Sequence, residues 1–463
     1  MRHQRGGGRM RILGSIVKWV LVVVLVAVIG VAGWLYVAPP ELIRLASAYS
    51  AKIVCSNQYL AGRDAQEVLT VDVQSPGHPL LGYIHVATEP AERSATARLL
   101  GVFAPATAVS RDGFGCAVMP DDADRTVALP VLPPLPMPNT TALWPLGERV
   151  AAENPAITAI LDNEELTGPG MRAVVVVHGG RIVGERYARG FSEETPLLGW
   201  SKTKTVTAAI VGTLVREGRL SLDQAGLMDI WSADERSEVT LADLLAMSSG
   251  LEFNEDYGDV TDVTRMLYFE PDMSGFASGK HLAGPRGNSF NYSSGTSVLV
   301  SRIWQDAFED PNEAWHWPRE ALFGPLGMTS AVMEADAQGT FVGSSYLYAT
   351  ARDWARFGLF LLRDGNWRGQ QILPEGFVSW MREEAPASNG LYGRGHLWLQ
   401  GPGSDDSGFD LPQDIYWLRG HDGQTTAVVP SQDLVVVRLG LTPSRLAYRP
   451  QALVSAISEA LGE

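Results

Sequence analysis

Gly199-Trp-Ser-Lys-Thr-Lys-Thr-Val-Thr207 sets Ser201 and Lys204 three positions apart at what reads as the start of a helix. Side chains at i and i+3 share one helix face. A serine hydroxyl is a weak nucleophile at neutral pH until a neighbour takes its proton, and a desolvated lysine amine can take it. Spacing alone carries little, because Ser15 and Lys18 repeat it inside an apolar stretch. Composition separates the two copies. Only five of the 37 Lys and Arg residues are lysine, and Lys202 and Lys204 are two of them. A guanidinium cannot be deprotonated in a protein, so a lysine kept amid arginines points to proton transfer. The competing reading is an exposed helix start in a chain that favours arginine. Lys202, about 100° around the helix from Ser201, is expected to point away from the site and to tolerate arginine.

Outward from this stretch, Val206, Ile210, Val211, Leu214 and Val215 continue the helix until Gly218. Thr240 reads as the cap of a second helix carrying Leu241, Leu244 and Leu245, stopped by Ser-Ser-Gly. Residues 171–187 are two β-branched runs around His-Gly-Gly-Arg, a hairpin pattern. Residues 425–429 and 434–439 form a second hairpin around Pro-Ser-Gln-Asp, and residues 449–462 read as a terminal helix. Strands at both ends with helices between them predict an α+β fold: an antiparallel sheet flanked by helices, plus a mainly helical lobe. Ser201 belongs where lobe and sheet meet.

Residues 19–37 form a run of nineteen uncharged residues, preceded by Arg2, Arg5, Arg9, Arg11 and Lys18. This predicts one transmembrane helix over 14–37, a basic cytoplasmic tail over 1–13, and everything beyond on the outer side of a cell (inner) membrane, in the periplasm. A cleaved signal peptide is the alternative; against it, the apolar run exceeds the usual core and lacks a small-x-small cleavage site. Residues 38–129 form a membrane-proximal region of unread function, with a strand-like run at 68–73. The proline-rich residues 130–146 read as an extended linker, and 147–463 as the catalytic domain. Cys55 and Cys116 can form a disulfide in an oxidising compartment, the alternative being two unrelated buried thiols. No metal-ligand spacing appears and no cofactor is implied. A net charge of -15 argues against nucleic acid as a partner.

The sequence resembles the serine β-lactamase and penicillin-binding-protein superfamily, in its class C-like branch of esterases, D-amino-acid peptidases and 6-aminohexanoate-dimer hydrolases. The resemblance rests on Ser201-Lys-Thr-Lys204, Leu244-Leu-Ala-Met-Ser-Ser-Gly-Leu251, Tyr292-Ser-Ser294, Pro325-Leu-Gly-Met328, the block at 349–358 and Gly420-His-Asp-Gly423. It implies Ser201 as nucleophile, Lys204 sharing its proton, and Tyr292 as second base and leaving-group acid. Ser294 would extend the network, and the backbone N–H groups of Ser201 and Gln424 would form the oxyanion hole. His421 and Gly423 match the third motif, expected on the strand that edges the cleft. Tyr257 matches a tyrosine that contacts the leaving amine in the 6-aminohexanoate-dimer hydrolases. Its acidic neighbours Glu252, Glu255, Asp256, Asp259 and Asp262 read either as favouring an amine-bearing substrate or as a solvated loop.

Two departures bear on substrate. Penicillin-recognising members begin the third motif with lysine and a hydroxyl residue, where this chain has His421-Asp422, and Ser294 stands where many β-lactamases have asparagine. A linear amide, an ester or a short D-amino-acid peptide is therefore expected in preference to a β-lactam. The expectation is a membrane-anchored serine hydrolase working through an acyl-serine. A non-catalytic or singly acylated ligand-binding protein of the cell envelope is the alternative.

Overall fold

The run Ala173-Val-Val-Val-Val177 lacks apolar–polar alternation because both faces of its strand are covered. The computed structural model describes residues 7–75, 77–120 and 126–462. Met171–His178 and Arg181–Tyr187 form the expected hairpin, turning through Gly179 and Gly180 at φ +57° and +70°. It completes a five-stranded antiparallel sheet in the order Tyr416–Gly420, Gln424–Val429, Leu434–Gly440, Met171–His178, Arg181–Tyr187. Val175 and Val177 join the core shared with helix Ala351–Leu362. Val174 and Val176 pack with Ile157, Leu161, Leu453 and Ile457 from helices Pro155–Leu161 and Pro450–Gly462. A strand buried on two sides reads as a continuous apolar run. A Cβ at Gly358 would lie 2.5 Å from Val435 Cγ1, so the missing side chain lets helix Ala351–Leu362 lie close on the sheet.

The helical lobe contains Lys202–Arg216, Leu241–Leu245, Asp262–Phe269, Met273–Ser278 and Ser294–Asp306. The serine helix is buried from Lys202 to Leu214, and Gly218 at φ +71° turns the chain beyond its end. Thr240 Oγ1 accepts from Asp243 N–H while the Asp243 carboxylate accepts from Thr240 N–H, a reciprocal cap. Sheet, flanking helices and helical lobe together make the expected α+β fold.

Helix Gly7–Val37 comes first, and the 25 residues Leu13–Val37 are long and apolar enough to span a membrane. At 1.5 Å per residue they extend about 37 Å, against roughly 30 Å of hydrocarbon. Their side chains are largely uncovered by the rest of the protein. The expected basic tail falls partly outside the described residues, since these begin at Gly7.

After Pro39 and Pro40, helix Glu41–Ala61 is buried along most of its length against a four-stranded antiparallel sheet whose strands follow chain order. That sheet comprises Ile84–Glu89, Ser94–Leu99, Phe103–Arg111 and Gly115–Val118. Cys55 and Cys116 are disulfide-bonded between helix and sheet. This region shares one core with the later domain. Lys52 pairs with the buried Glu334 at 2.5 Å, and Glu334 also accepts from Ser56 Oγ and Cys116 N–H. The proline-rich residues 130–146 run over the domain without helix or strand, held by Arg356 donating to Pro145 O and Arg319 donating to Pro133 O.

The strand expected at 68–73 is helical instead: Ala65–Val68 is α and Leu69–Gln74 is π. Asp64 caps the turn by accepting from Glu67 N–H. Val68, Leu69 and Val73 bury one face, and Asp72 accepts from Arg63 and Arg172. Capping and packing here override the preference of β-branched residues for strands.

Candidate active site

The chain enters the serine helix through a strained residue. Trp200 lies at φ +50°, a region costly for a bulky side chain, and its ring is buried. Gly199 N–H donates to Leu347 O, and a Cβ at Gly199 would lie 2.1 Å from Trp354. These contacts set Ser201 at the head of helix Lys202–Arg216, partly exposed, while Lys204 one turn on is buried.

Lys204 Nζ lies 3.2 Å from Ser201 Oγ, 3.0 Å from Ser294 Oγ and 3.1 Å from Ser344 O. Ser294 Oγ in turn donates to Glu255 Oε1 at 2.5 Å, and Ser294 N–H donates to Glu255 Oε2. Burial lowers the Lys204 pKa to about 8, the Glu255 carboxylate opposing the fall. Burial also raises the Glu255 carboxyl, countered by Lys204 and the Ser294 hydrogen bonds. A neutral amine has two donors and one lone pair. Ser294 Oγ and Ser344 O take the donors, leaving the lone pair for the Ser201 hydroxyl.

Tyr292 precedes Ser293, whose Oγ accepts from Thr296 N–H to cap helix Ser294–Asp306. Its ring lies 5.0 Å from Trp398 and 4.8 Å from Lys204 Nζ. Burial, then the Glu255 charge, push its phenol above the usual tyrosine value, only partly offset by the Ser201 hydroxyl and Arg419. Tyr292 is thus a protonated phenol near neutral pH, an arrangement for donating a proton.

The third motif is not in a strand. His421–Gly423 is a 3-10 turn between Tyr416–Gly420 and Gln424–Val429, with Asp422 at φ +56° and Gly423 at φ +77°. A turn lacks the two-residue alternation of a strand, so His421 and Asp422 both line a cavity beside the site. Arg438, buried in the neighbouring strand, donates to Gly423 O at 3.0 Å and also to Thr167 O and Pro169 O. Gln424 Nε2 donates to Leu198 O at 2.7 Å, and a Cβ at Gly420 would lie 2.4 Å from Gly199 O. The turn is therefore held against the segment leading to Ser201. Tyr257 stacks 5.0 Å from His421, which also meets Trp200 at 5.4 Å.

The structure thus draws Ser201, Lys204, Tyr292 and Ser294 into one network, with Tyr257, His421, Gly423 and Gln424 along one side. Sequence reasoning placed Glu255 only in an acidic loop; here it accepts from Ser294 within that network. It missed His396, buried with Nε2 3.2 Å from Ser297 Oγ and its pKa lowered to about 3 by burial and then by Lys204. Ser297 lies one turn beyond Ser294, a spacing that was a usable signal. Lys202, expected to point away from the site, is fully buried, its Nζ 4.1 Å above the Trp354 ring. The side of the helix away from Ser201 faces core, not solvent.

Among the described residues, no group of three or more His, Cys, Asp or Glu side chains is placed to hold a metal ion.

Sheet, lobe and site define a protein of the serine β-lactamase and penicillin-binding-protein superfamily. The chain belongs to the beta-lactamase family, whose model matches residues 163–452. A 6-aminohexanoate-dimer hydrolase from Paenarthrobacter ureafaciens is 24% identical over 305 residues, 58% of this chain and 72% of that protein. Among solved structures, a protein assigned as a 6-aminohexanoate-dimer hydrolase from Bacillus anthracis superposes with a TM-score of 0.53 at 22% identity, covering 74% of this chain and 89% of its own. A penicillin binding protein from Bacillus halodurans gives 0.51 at 17% identity, covering 66% and 99%. These structural likenesses concern the fold.

Proposed function

We propose that this protein is a membrane-anchored serine hydrolase that cleaves an amide or ester bond through an acyl-serine intermediate. The observation that carries the proposal is Lys204 Nζ, 3.2 Å from Ser201 Oγ, with its other contacts supplied by Ser294 and Ser344. In the proposed reaction, Lys204 takes the Ser201 proton as Oγ bonds to the substrate carbonyl carbon. The oxyanion is met by the backbone N–H groups of Ser201 and Gln424, preorganised donors of a kind worth about 3–4 kcal/mol of barrier each. Tyr292 gives its phenolic proton to the departing nitrogen or oxygen as the carbonyl–leaving-group bond breaks, and recovers one from Lys204. Water then attacks the acyl-serine, with the same groups returning the protons.

The substrate side of the cleft favours a neutral or amine-bearing molecule. Asp259 and Asp422 line the cavity with Tyr257 and His421, Glu255 lies on Ser294 beside Lys204, and His421 stands where penicillin-recognising members begin the third motif with lysine. Relationship to a 6-aminohexanoate-dimer hydrolase supports a linear amide. Leu13–Val37 would hold the chain in a cell membrane, N-terminus inside, with the catalytic domain periplasmic. The Cys55–Cys116 disulfide fits an oxidising compartment.

Full-length protein in detergent, treated with a fluorophosphonate, should gain one adduct that maps to Ser201 and vanishes in Ser201→Ala. Folded protein that takes no adduct would refute an activated serine. An adduct with no turnover of any ester, amide or D-amino-acid peptide would instead support the singly acylated binding protein.

A further inference from the structure

A cavity of about 450 Å3 adjoins the site. Trp200, which precedes Ser201, lines it together with Tyr257 and His421, the three rings being in mutual contact through His421. Leu42, Leu45 and Ala46, from the opening turns of helix Glu41–Ala61, line it as well, with Leu81. The volume suits a small-molecule site, and most of the wall is carbon.

Its place in the chain is informative. Val37 ends the apolar helix and Leu42 follows five residues later, at most about 18 Å of chain. The part of the wall built by this helix therefore stands close to where the chain would leave a bilayer. The same part of the molecule exposes large apolar side chains: Tyr83, Leu100 and Val102 are 59%, 54% and 56% exposed. Leu100 N–H donates to Tyr83 O, and Leu81 and Tyr83 belong to one short helix, Pro79–Tyr83. The end of Phe103–Arg111 that follows Val102 belongs to the strand that the apolar helix contacts. Such side chains gain nothing facing water and are stabilised among lipid headgroups and upper chains.

We propose that this cavity receives the hydrocarbon arm of an amphiphilic amide or ester drawn from the membrane, with its carbonyl reaching Ser201 past Trp200 and His421. The proposal rests on the anchored serine-hydrolase reading and narrows its substrate class. The apolar wall holds the arm while the polar end at His421 faces the headgroup side of the scissile bond. No chemistry beyond the acyl transfer already described is required.

The test uses the full chain in phosphatidylcholine nanodiscs and two independent readouts. A hexadecanoyl amide carrying a photoreactive diazirine near its tail should crosslink to peptides containing residues 42–49 or 78–83, and unlabelled long-chain amide should compete. Ala46→Phe, which narrows the cavity, and Leu42→Asp, at its exposed rim, should both abolish that crosslink while fluorophosphonate labelling of Ser201 persists. Across acetyl, butanoyl, hexanoyl and octanoyl p-nitrophenyl esters, kcat/KM should rise by up to about fourfold per methylene. Crosslinking confined to residues 13–37, or unchanged in both variants, would overturn the proposal, as would a flat chain-length series in an enzyme that labels at Ser201. Specific crosslinking at 42–49 or 78–83 without labelling at Ser201 would keep the lipid site and remove the hydrolase reading.

Discussion

Lys202 Nζ sits 4.1 Å above the Trp354 ring, fully buried and with no hydrogen-bond acceptor among the described residues. Burial drives its pKa far below the ordinary lysine value. The group is therefore an amine whose protonation opposes folding. In the unfolded chain it binds a proton below about pH 10.4, so stability should rise with pH toward that value.

Lys202→Met keeps the length of the side chain without the buried amine. It should raise the melting temperature at pH 7, with the gain shrinking as pH approaches 10. Lys202→Arg, expected from the helix position to retain activity, should destabilise by about 1–3 kcal/mol or more, because a larger permanent cation must fit the same space. Thermal unfolding of both variants at pH 7 and pH 9.5 tests the assignment, and an arginine variant of unchanged stability would refute it.

Lys204 should set the acid limb of activity. Acylation as proposed needs the neutral amine, so kcat/KM should climb with pH through about 8, the value to which burial lowers this lysine. Lys204→Arg should be nearly as inactive as Lys204→Ala. An active arginine variant would show that positive charge suffices and would move the base role to Tyr292.

Glu255 raises the Lys204 pKa, so removing its charge should let Lys204 deprotonate at lower pH. The limb in Glu255→Gln should shift to more acid pH, whatever the change in maximal rate. Loss of rate with an unmoved limb would reduce Glu255 to a holder of Ser294.

In the proposed mechanism, Tyr292→Phe removes the acid that serves the leaving group. An alkylamide needs that proton and a p-nitrophenolate does not. Amide hydrolysis should fall by about 100-fold or more while p-nitrophenyl ester hydrolysis falls far less. Equal losses on both substrates would argue that Tyr292 acts at Ser201 instead.

The sheet-and-helix fold was legible because its hairpins, caps and amphipathic helices announce themselves locally. Gly179-Gly180 turns where two β-branched runs required a turn, and Thr240 with Asp243 caps where the sequence placed a cap. Local patterns failed where partners come from far along the chain. The residues at 68–73 look like a strand until Arg172, a hundred residues later, is placed on Asp72. Glu255 looks solvated until Ser294 is placed against it, and Lys202 looks exposed until Trp354 covers it. Ser201 and Lys204 lie within one helical turn, so their contact was readable from spacing once the scarcity of lysine had set them apart from Ser15 and Lys18.

Lys52 and Glu334, buried together, join the helix that follows the apolar segment to the chain just beyond strand Val332–Met333 of the later domain. For an anchored enzyme this means that the cleft does not ride on a slack tether. Under the proposed anchoring, only residues 38–40 would separate the membrane span from the body of the protein, so the cleft would search across the membrane plane and not reach far above it. A soluble molecule would then have to come down to the surface to be cut, whereas one already dissolved in the bilayer would arrive at the right level by lateral diffusion alone.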